Sequence, residues 1–125
     1  MTEEFVTLET SKLLKEKGFK EDVFTFYEAE CVEGDLELFE SYEVENFNTR
    51  PDRFSAPPQS IAQKWLRETK KLHVEVSYMH GDYWIYDILT IPNRDLVGLS
   101  DRPSAHYKSY EEALEAGIQE ALKLI

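Results

Sequence analysis

The chain of 125 residues contains a single cysteine, Cys31, so it can form no internal disulfide. That usage fits a reducing compartment. Long apolar runs are missing as well, and nothing approaches the roughly 18 residues that a membrane span needs. The opening MTEEFVTLE has neither a basic n-region nor an apolar h-region, so no secretory signal is expected. The expectation is a soluble, cytoplasmic protein without a membrane segment. Positive charge is scarce: 14 Lys and Arg stand against 25 Asp and Glu, for a formal net charge of −11. The deficit lies mostly in residues 1–50, with 5 basic against 14 acidic groups. Such a surface repels phosphate backbones and disfavours nucleic-acid binding by the domain as a whole. It promotes solubility instead. There is no Gly-rich phosphate loop, G-x-S-x-G, C-x-x-C or H-E-x-x-H, which removes the common enzyme classes and implies no cofactor.

Large apolar side chains are present. Hydrophobic residues make up 42% and aromatic residues 13%, values that belong to a folded chain rather than a disordered one. At this length one domain, residues 1–125, is expected, burying roughly two-thirds of its unfolded surface. The patterning reads as α+β: an antiparallel sheet with helices packed on it, in the order α-β-(β)-α-β-β-α. The first helix is predicted over Leu8–Lys17, capped by Thr7. It ends in a Schellman motif with Gly18 at C′ and Phe19 packing on Leu14. Leu13 and Leu14 form its buried stripe, and Lys12, Lys15 and Glu16 face water. Val23–Val32 reads as a strand, Glu33–Asp35 as a turn, and Leu36–Val44 as an acidic edge strand or ordered loop. Residues 45–54 read as a connector, since Pro51 forbids a central strand.

The stretch from Ser55 to Ile91 organises the rest. Ser55 is expected to cap a second helix, with Pro57 and Pro58 in its first turn. Ile61, Ala62, Trp65, Leu66 and Thr69 recur at helical spacing as its buried face. The strand Leu72–Met79 follows at once and turns at His80-Gly81-Asp82 into a returning strand, Tyr83–Ile91. A three-residue loop pairs Tyr78 with Trp84, Val76 with Tyr86 and Val74 with Ile88, all apolar. A two-residue loop would put Asp87 into that row, so the three-residue register is preferred. Residues 92–108 read as loop, with Leu96, Val97 and Leu99 plugging an edge of the core. Ser109 and Glu112 form a capping box for a last helix. Its apolar residues run from Tyr110 to Ile125, and close packing on the sheet explains Gly117 within it.

The hairpin register sets Glu75 opposite Asp87 on the outer face, beside His73 and Ser77. Like charges placed so are relieved by a cation, a shared proton or a basic neighbour. His73, Glu75 and Asp87 are therefore the candidates for a metal-dependent hydrolase, the alternative to a binding protein. Set against this, surface carboxylates usually just face water. His80, Asp82 and His106 lack a recognised ligand spacing, and no metal is assigned. Cys31 sits between Glu30 and Glu33, which disfavour its thiolate, so an inert thiol is expected. Lys64, Arg67 and Lys71, with Lys70 alongside, form a basic helix face that could meet phosphate, as in nucleic-acid binding, or an acidic partner. More often such a face is simply solvated. Trp65 and Leu66 point away from it and offer no stacking platform. Trp84 and Tyr86 are expected in the core. Met79 and Tyr83 at the hairpin tip are the interface candidates. The expected partner is another protein or a second copy of the chain.

Three segments carry a resemblance: FVTLETSKLLKEKGF, SAPPQSIAQKWLRETKKLHVEVSY and YKSYEEALEAGIQEALKLI. Together they resemble small proteins found in phages and prophages of gut Bacteroides-type bacteria. These share a first helix ending in KEKGF, a middle S-A-P-x-Q-S…KWLRE helix before a strand, and a final E-A-L…E-A-L-K-L-I helix. The match covers both ends and the middle, and leaves out the acidic stretch from Glu28 to Asn48. It implies a small cytoplasmic protein of phage or mobile-element origin with unassigned function, and it brings no catalytic motif onto these residues.

Overall fold

A computed structural model describes residues 4–28, 38–99 and 107–125. Among them, three helices and two antiparallel three-stranded sheets follow the order α-β-β-β-α-β-β-β-α, an α+β fold. No helix among the described residues is long and apolar enough to cross a membrane. The chain divides into two compact units, residues 1–58 and 59–125.

In the first unit, α1 spans Leu8–Glu16 with Thr7 as N-cap. Its end is the expected Schellman motif: Phe19 N–H donates to Leu14 C=O at 2.9 Å and Gly18 N–H to Lys15 C=O at 3.2 Å. Gly18 has φ +93°, the left-handed geometry this cap requires. Thr10, Ser11 and Leu14 are buried, whereas Leu13 is only half-buried. Strands β1 (Val23–Glu28), β2 (Leu38–Glu45) and β3 (Arg53–Ser55) form a sheet of order β2-β1-β3. The expected turn at residues 33–35 lies outside the described residues.

The expected connector at 45–54 is structured. A 3₁₀ turn at Phe47–Thr49 is capped by Asn46, and β3 follows Pro51 as an edge strand paired with β1. A three-residue strand is too short to show alternation, and Pro51 only keeps it from the sheet centre. Ser55 lies in β3 rather than at a helix cap. Its N–H donates to Asn48 Oδ1 at 2.9 Å, and its Oγ accepts from Phe47 N–H at 3.1 Å. Asn48 Nδ2 donates onward to Phe19 C=O at 2.8 Å. This network seats the buried Phe47 ring 4.3 Å from that of Phe26.

In the second unit, α2 (Gln59–Thr69), β4 (Leu72–Met79), β5 (Tyr83–Thr90), β6 (Leu96–Leu99) and α3 (Tyr110–Lys123) build a sheet of order β4-β5-β6 beneath two helices. Helix α2 starts four residues later than Ser55, because Ser55 is held in β3 and Pro57 is buried before the helix. Its inner face is Gln59, Ala62, Trp65 and Leu66; Ile61 and Thr69 are exposed. Gln59 takes the inward position because its Nε2 donates to Glu111 C=O at 3.0 Å and Glu115 Oε1 at 2.9 Å on α3. Lys71, with φ +58°, links α2 directly to β4.

The β4–β5 register is the one expected, with Val74 opposite Ile88, Val76 opposite Tyr86 and Tyr78 opposite Trp84. Ser109 Oγ accepts from Glu112 N–H at 3.1 Å to open α3, and the Glu112 carboxylate accepts from Lys108 N–H instead of returning to Ser109. Gly117 lets α3 lie directly on the sheet. A Cβ there would stand 2.6 Å from Val74 Cγ1 and 3.1 Å from the Tyr86 ring. The expected loop from Pro92 contains β6, which pairs with β5. Leu96 and Val97 are exposed on this edge rather than plugging the core. Four residues after a tight turn carry too little pattern to announce a strand.

Candidate functional site

On β4 and β5, side-chain alternation sends one row into the helices and the other to the outer face. The outer row holds His73, Glu75 and Ser77, with Asp87 opposite Glu75 as expected. Glu75 is exposed, and His73 and Asp87 are half-buried. His73 lies opposite Leu89, and Ser77 lies opposite Ile85, which is buried. His73 Nδ1 is buried without a hydrogen-bond partner among the described residues. Among the described residues no group of three or more His, Cys, Asp or Glu side chains could hold a metal ion. The register thus brings Glu75 and Asp87 together, but His73 does not complete a ligand set with them.

At the hairpin tip, Gly81 and Asp82 take positive φ values of +108° and +63°. Asp82 accepts a hydrogen bond from the Tyr78 hydroxyl, which pushes that phenol above its ordinary pKa, with burial adding to the effect. Tyr78 is the exposed aromatic of this end, while Met79 and Tyr83 are half-buried. The sequence pointed to the last two. Met79 and Tyr83 pair with each other on one face of the hairpin, while Tyr78 lies on the other, 4.9 Å from the Trp84 ring that meets Tyr110 of α3 edge-on at 5.6 Å. Trp84 is half-buried and Tyr86 is core. His80 is exposed in the turn. His106 and Cys31 lie outside the described residues.

Along α2, Lys64 is exposed, Arg67 is half-buried and Lys71 is exposed at the helix exit. Trp65 is buried away from them, and the Lys70 ammonium covers its ring at 5.5 Å. Lys15 of α1 does not face water. Its Nζ donates to Arg50 C=O at 2.6 Å and Arg53 C=O at 2.9 Å, and it stands 4.7 Å from the Phe54 ring centroid. Burial lowers its pKa, and Asp52 partly opposes the shift.

Among the described residues, a further group of exposed apolar side chains lies on β2 and β1, where the sequence pointed only to an acidic edge strand or loop. No residue of β2 is buried. Leu38, Phe39, Tyr42 and Val44 are exposed on it, and so is Phe24 of the neighbouring β1. The pairing jumps from Thr25–Glu40 to Val23–Glu45, so Ser41–Val44 bulge opposite Phe24 alone. A bulge of this kind re-aims side chains and interrupts the ladder. Tyr42 stands at the bulge with its whole side chain in solvent. Between these residues, Glu45 is 3.3 Å from Arg50, whereas Glu40 and Glu43 have no cationic partner among the described residues. The available signal was LFESYEVE itself, large apolar residues interleaved with acidic ones and none of them buried. Compared with known proteins, the chain matches no family model, no curated protein and no solved structure.

Proposed function

We propose that this is a non-enzymatic accessory protein of a phage or mobile element, acting through a protein partner that docks on the β1–β2 side of the first unit. One observation carries the reading: Phe24, Leu38, Phe39, Tyr42 and Val44 are all exposed there. Scattered apolar residues on a surface need no explanation, but five exposed large apolar residues on one strand pair and its bulge, with no residue of β2 buried, support an interaction site. The absence of familiar catalytic motifs agrees with a binding role, as does the resemblance to small phage and prophage proteins. The hydrolase alternative has no comparable support, since His73, Glu75 and Asp87 do not form a ligand group.

Photo-crosslinking tests the reading. A benzophenone amino acid is placed at Tyr42 or, as a control, at the exposed Glu21, in cells that express the full chain. One dominant adduct is expected from position 42, and it should vanish when Phe39→Ser and Val44→Ser are added. Equal adducts from both positions, or none from position 42, would reject the proposal.

A further inference from the structure

We infer that the occupant of the β2 surface is a basic segment, one whose arginine or lysine side chains alternate with apolar ones. This rests on the protein-binding reading and names the chemistry of the partner. Residues 28–45 contain eight Asp and Glu and no Lys or Arg. Of the described carboxylates in that stretch, Glu28 meets Arg53 at 3.8 Å and Glu45 meets Arg50 at 3.3 Å. Glu40 and Glu43 are exposed beside Phe39 and Tyr42 and meet no cation among the described residues.

The first unit places its own cations over two of its other rings. Arg53 lies 4.6 Å from the Phe26 centroid, and Lys15 and Lys12 lie 4.7 and 5.8 Å from that of Phe54. A cation over an aromatic face and beside a carboxylate is favourable on both counts. On β2 Glu45 has Arg50, whereas Glu40 and Glu43 stand beside exposed rings with no cation among the described residues, which is the position a partner's cation would fill.

Two other occupants fit less well. A second copy would set one acidic strand against another, and like charges across a strand pair repel. An added strand needs an unbroken row of outward backbone groups, and the bulge at Ser41–Val44 breaks it. There Glu43 N–H is turned to Ser41 Oγ at 3.3 Å. Recognition therefore runs through side chains, with the carboxylates choosing the sign of the partner and the rings holding its apolar stems.

The test titrates the whole chain with two synthetic peptides of equal length and leucine content, one carrying arginine and the other glutamate. Only the arginine peptide should bind, and more weakly as salt is added. Glu40→Gln with Glu43→Gln should weaken it about tenfold, the effect of removing two exposed ion pairs. Tyr42→Ser should weaken it about threefold. These side chains are exposed, so melting temperatures should stay unchanged. The reversal E40K with E43K should move binding to the glutamate peptide. Equal binding of the two peptides overturns the inference, as does an arginine peptide that binds every variant like the wild type. A wild-type dimer that the arginine peptide does not disturb also overturns it, in favour of a second copy. If position 42 crosslinks to a partner segment without cations and neither peptide binds, this inference fails and the protein-binding reading survives. If neither crosslink nor peptide binding appears, both fall.

Discussion

β2 and β4 are both edge strands, and they meet opposite fates. β4 buries Leu72 and Val74 because α2 and α3 lie on that face, and Gly117 lets α3 come close enough to touch Val74. β2 alternates apolar and polar residues only over Tyr42–Glu45, yet nothing described covers it and none of its residues is buried. Alternation therefore tells which side chains share a face. Whether that face is core depends on another element bringing a complementary apolar stripe. The two units also differ in how their parts are held. The second lays the buried face of α3, Ala113, Leu114, Ile118, Ala121 and Leu122, on its sheet and ties its turn after β5 by Asp95 N–H donating to Thr90 Oγ1 at 3.0 Å. The first uses side chain to backbone bonds from Lys15, Thr25, Asn48 and Ser55.

The largest effect should come from trimming equivalent apolar residues in the two sheets. Ile88→Ala removes a fully buried side chain and should cost about 2–5 kcal/mol. Val44→Ala, on the exposed strand, should cost less than about 0.5 kcal/mol. Urea unfolding measures both, with Trp65 and Trp84 fluorescence reporting on the second unit and far-ultraviolet circular dichroism on the whole chain. Similar costs for the two would mean that β2 is covered in solution, and the contrast would collapse.

A smaller effect sharpens the second difference. Asn48→Ala removes the acceptor for Ser55 N–H and the donor to Phe19 C=O. Ser55 is buried, so its N–H would be left without a partner, at a cost of about 1–3 kcal/mol. Asn48→Asp keeps the acceptor and loses the donor, and should fall between. Amide exchange at Phe47 and Ser55 is the readout. If both amides stay protected in Asn48→Ala, the network is not what holds the first unit's connector.

The features legible in the sequence were those written in a local period. The Schellman end of α1, the three-residue hairpin loop and its register, the Ser109 cap and the place of Gly117 all follow from residues a few positions apart. The misses share a different cause. β3 and β6 are too short to show a period. The start of α2 is displaced because Ser55 is held in β3 by bonds to Asn48 and Phe47, which the helix pattern does not record. Lys15 read as a solvated lysine because the carbonyls it meets lie 35 and 38 residues downstream. The candidate site was missed for the converse reason. The Glu residues of β2 pointed to an edge strand or an ordered loop, and it is an edge strand; that reading left Phe39, Tyr42 and Val44 between them unexplained. Exposure is settled by what fails to pack against a strand, and a single strand cannot record that.

The smallest effect concerns proton binding at the edge of the second sheet. Tyr107 exchanges backbone hydrogen bonds of 2.8 and 3.1 Å with Trp84 and sits with its ring 6.0 Å from that of Tyr86. Burial, and then the Glu120 carboxylate, push its phenol above the ordinary tyrosine value of 10.0. The native state thus holds this proton more tightly than the unfolded chain does. The resulting stability is complete below pH 10 and disappears as pH rises through the higher native value. Lys15 works in the other direction. Its lowered pKa makes stability rise with pH in the range just below 10.5. Comparing wild type with Tyr107→Phe cancels the Lys15 contribution, because both proteins carry it. The stability of wild type relative to Tyr107→Phe should be constant from about pH 8 to 9.5 and then fall toward about pH 11, in the range where tyrosines titrate. Tyr107→Phe with Glu120→Gln should show the same profile as Tyr107→Phe alone, since the carboxylate acts through the phenol's charge. A relative stability that stays flat to pH 11 would mean that Tyr107 is as solvated in the folded protein as in the unfolded one, and that the edge of β5 it covers is open like β2.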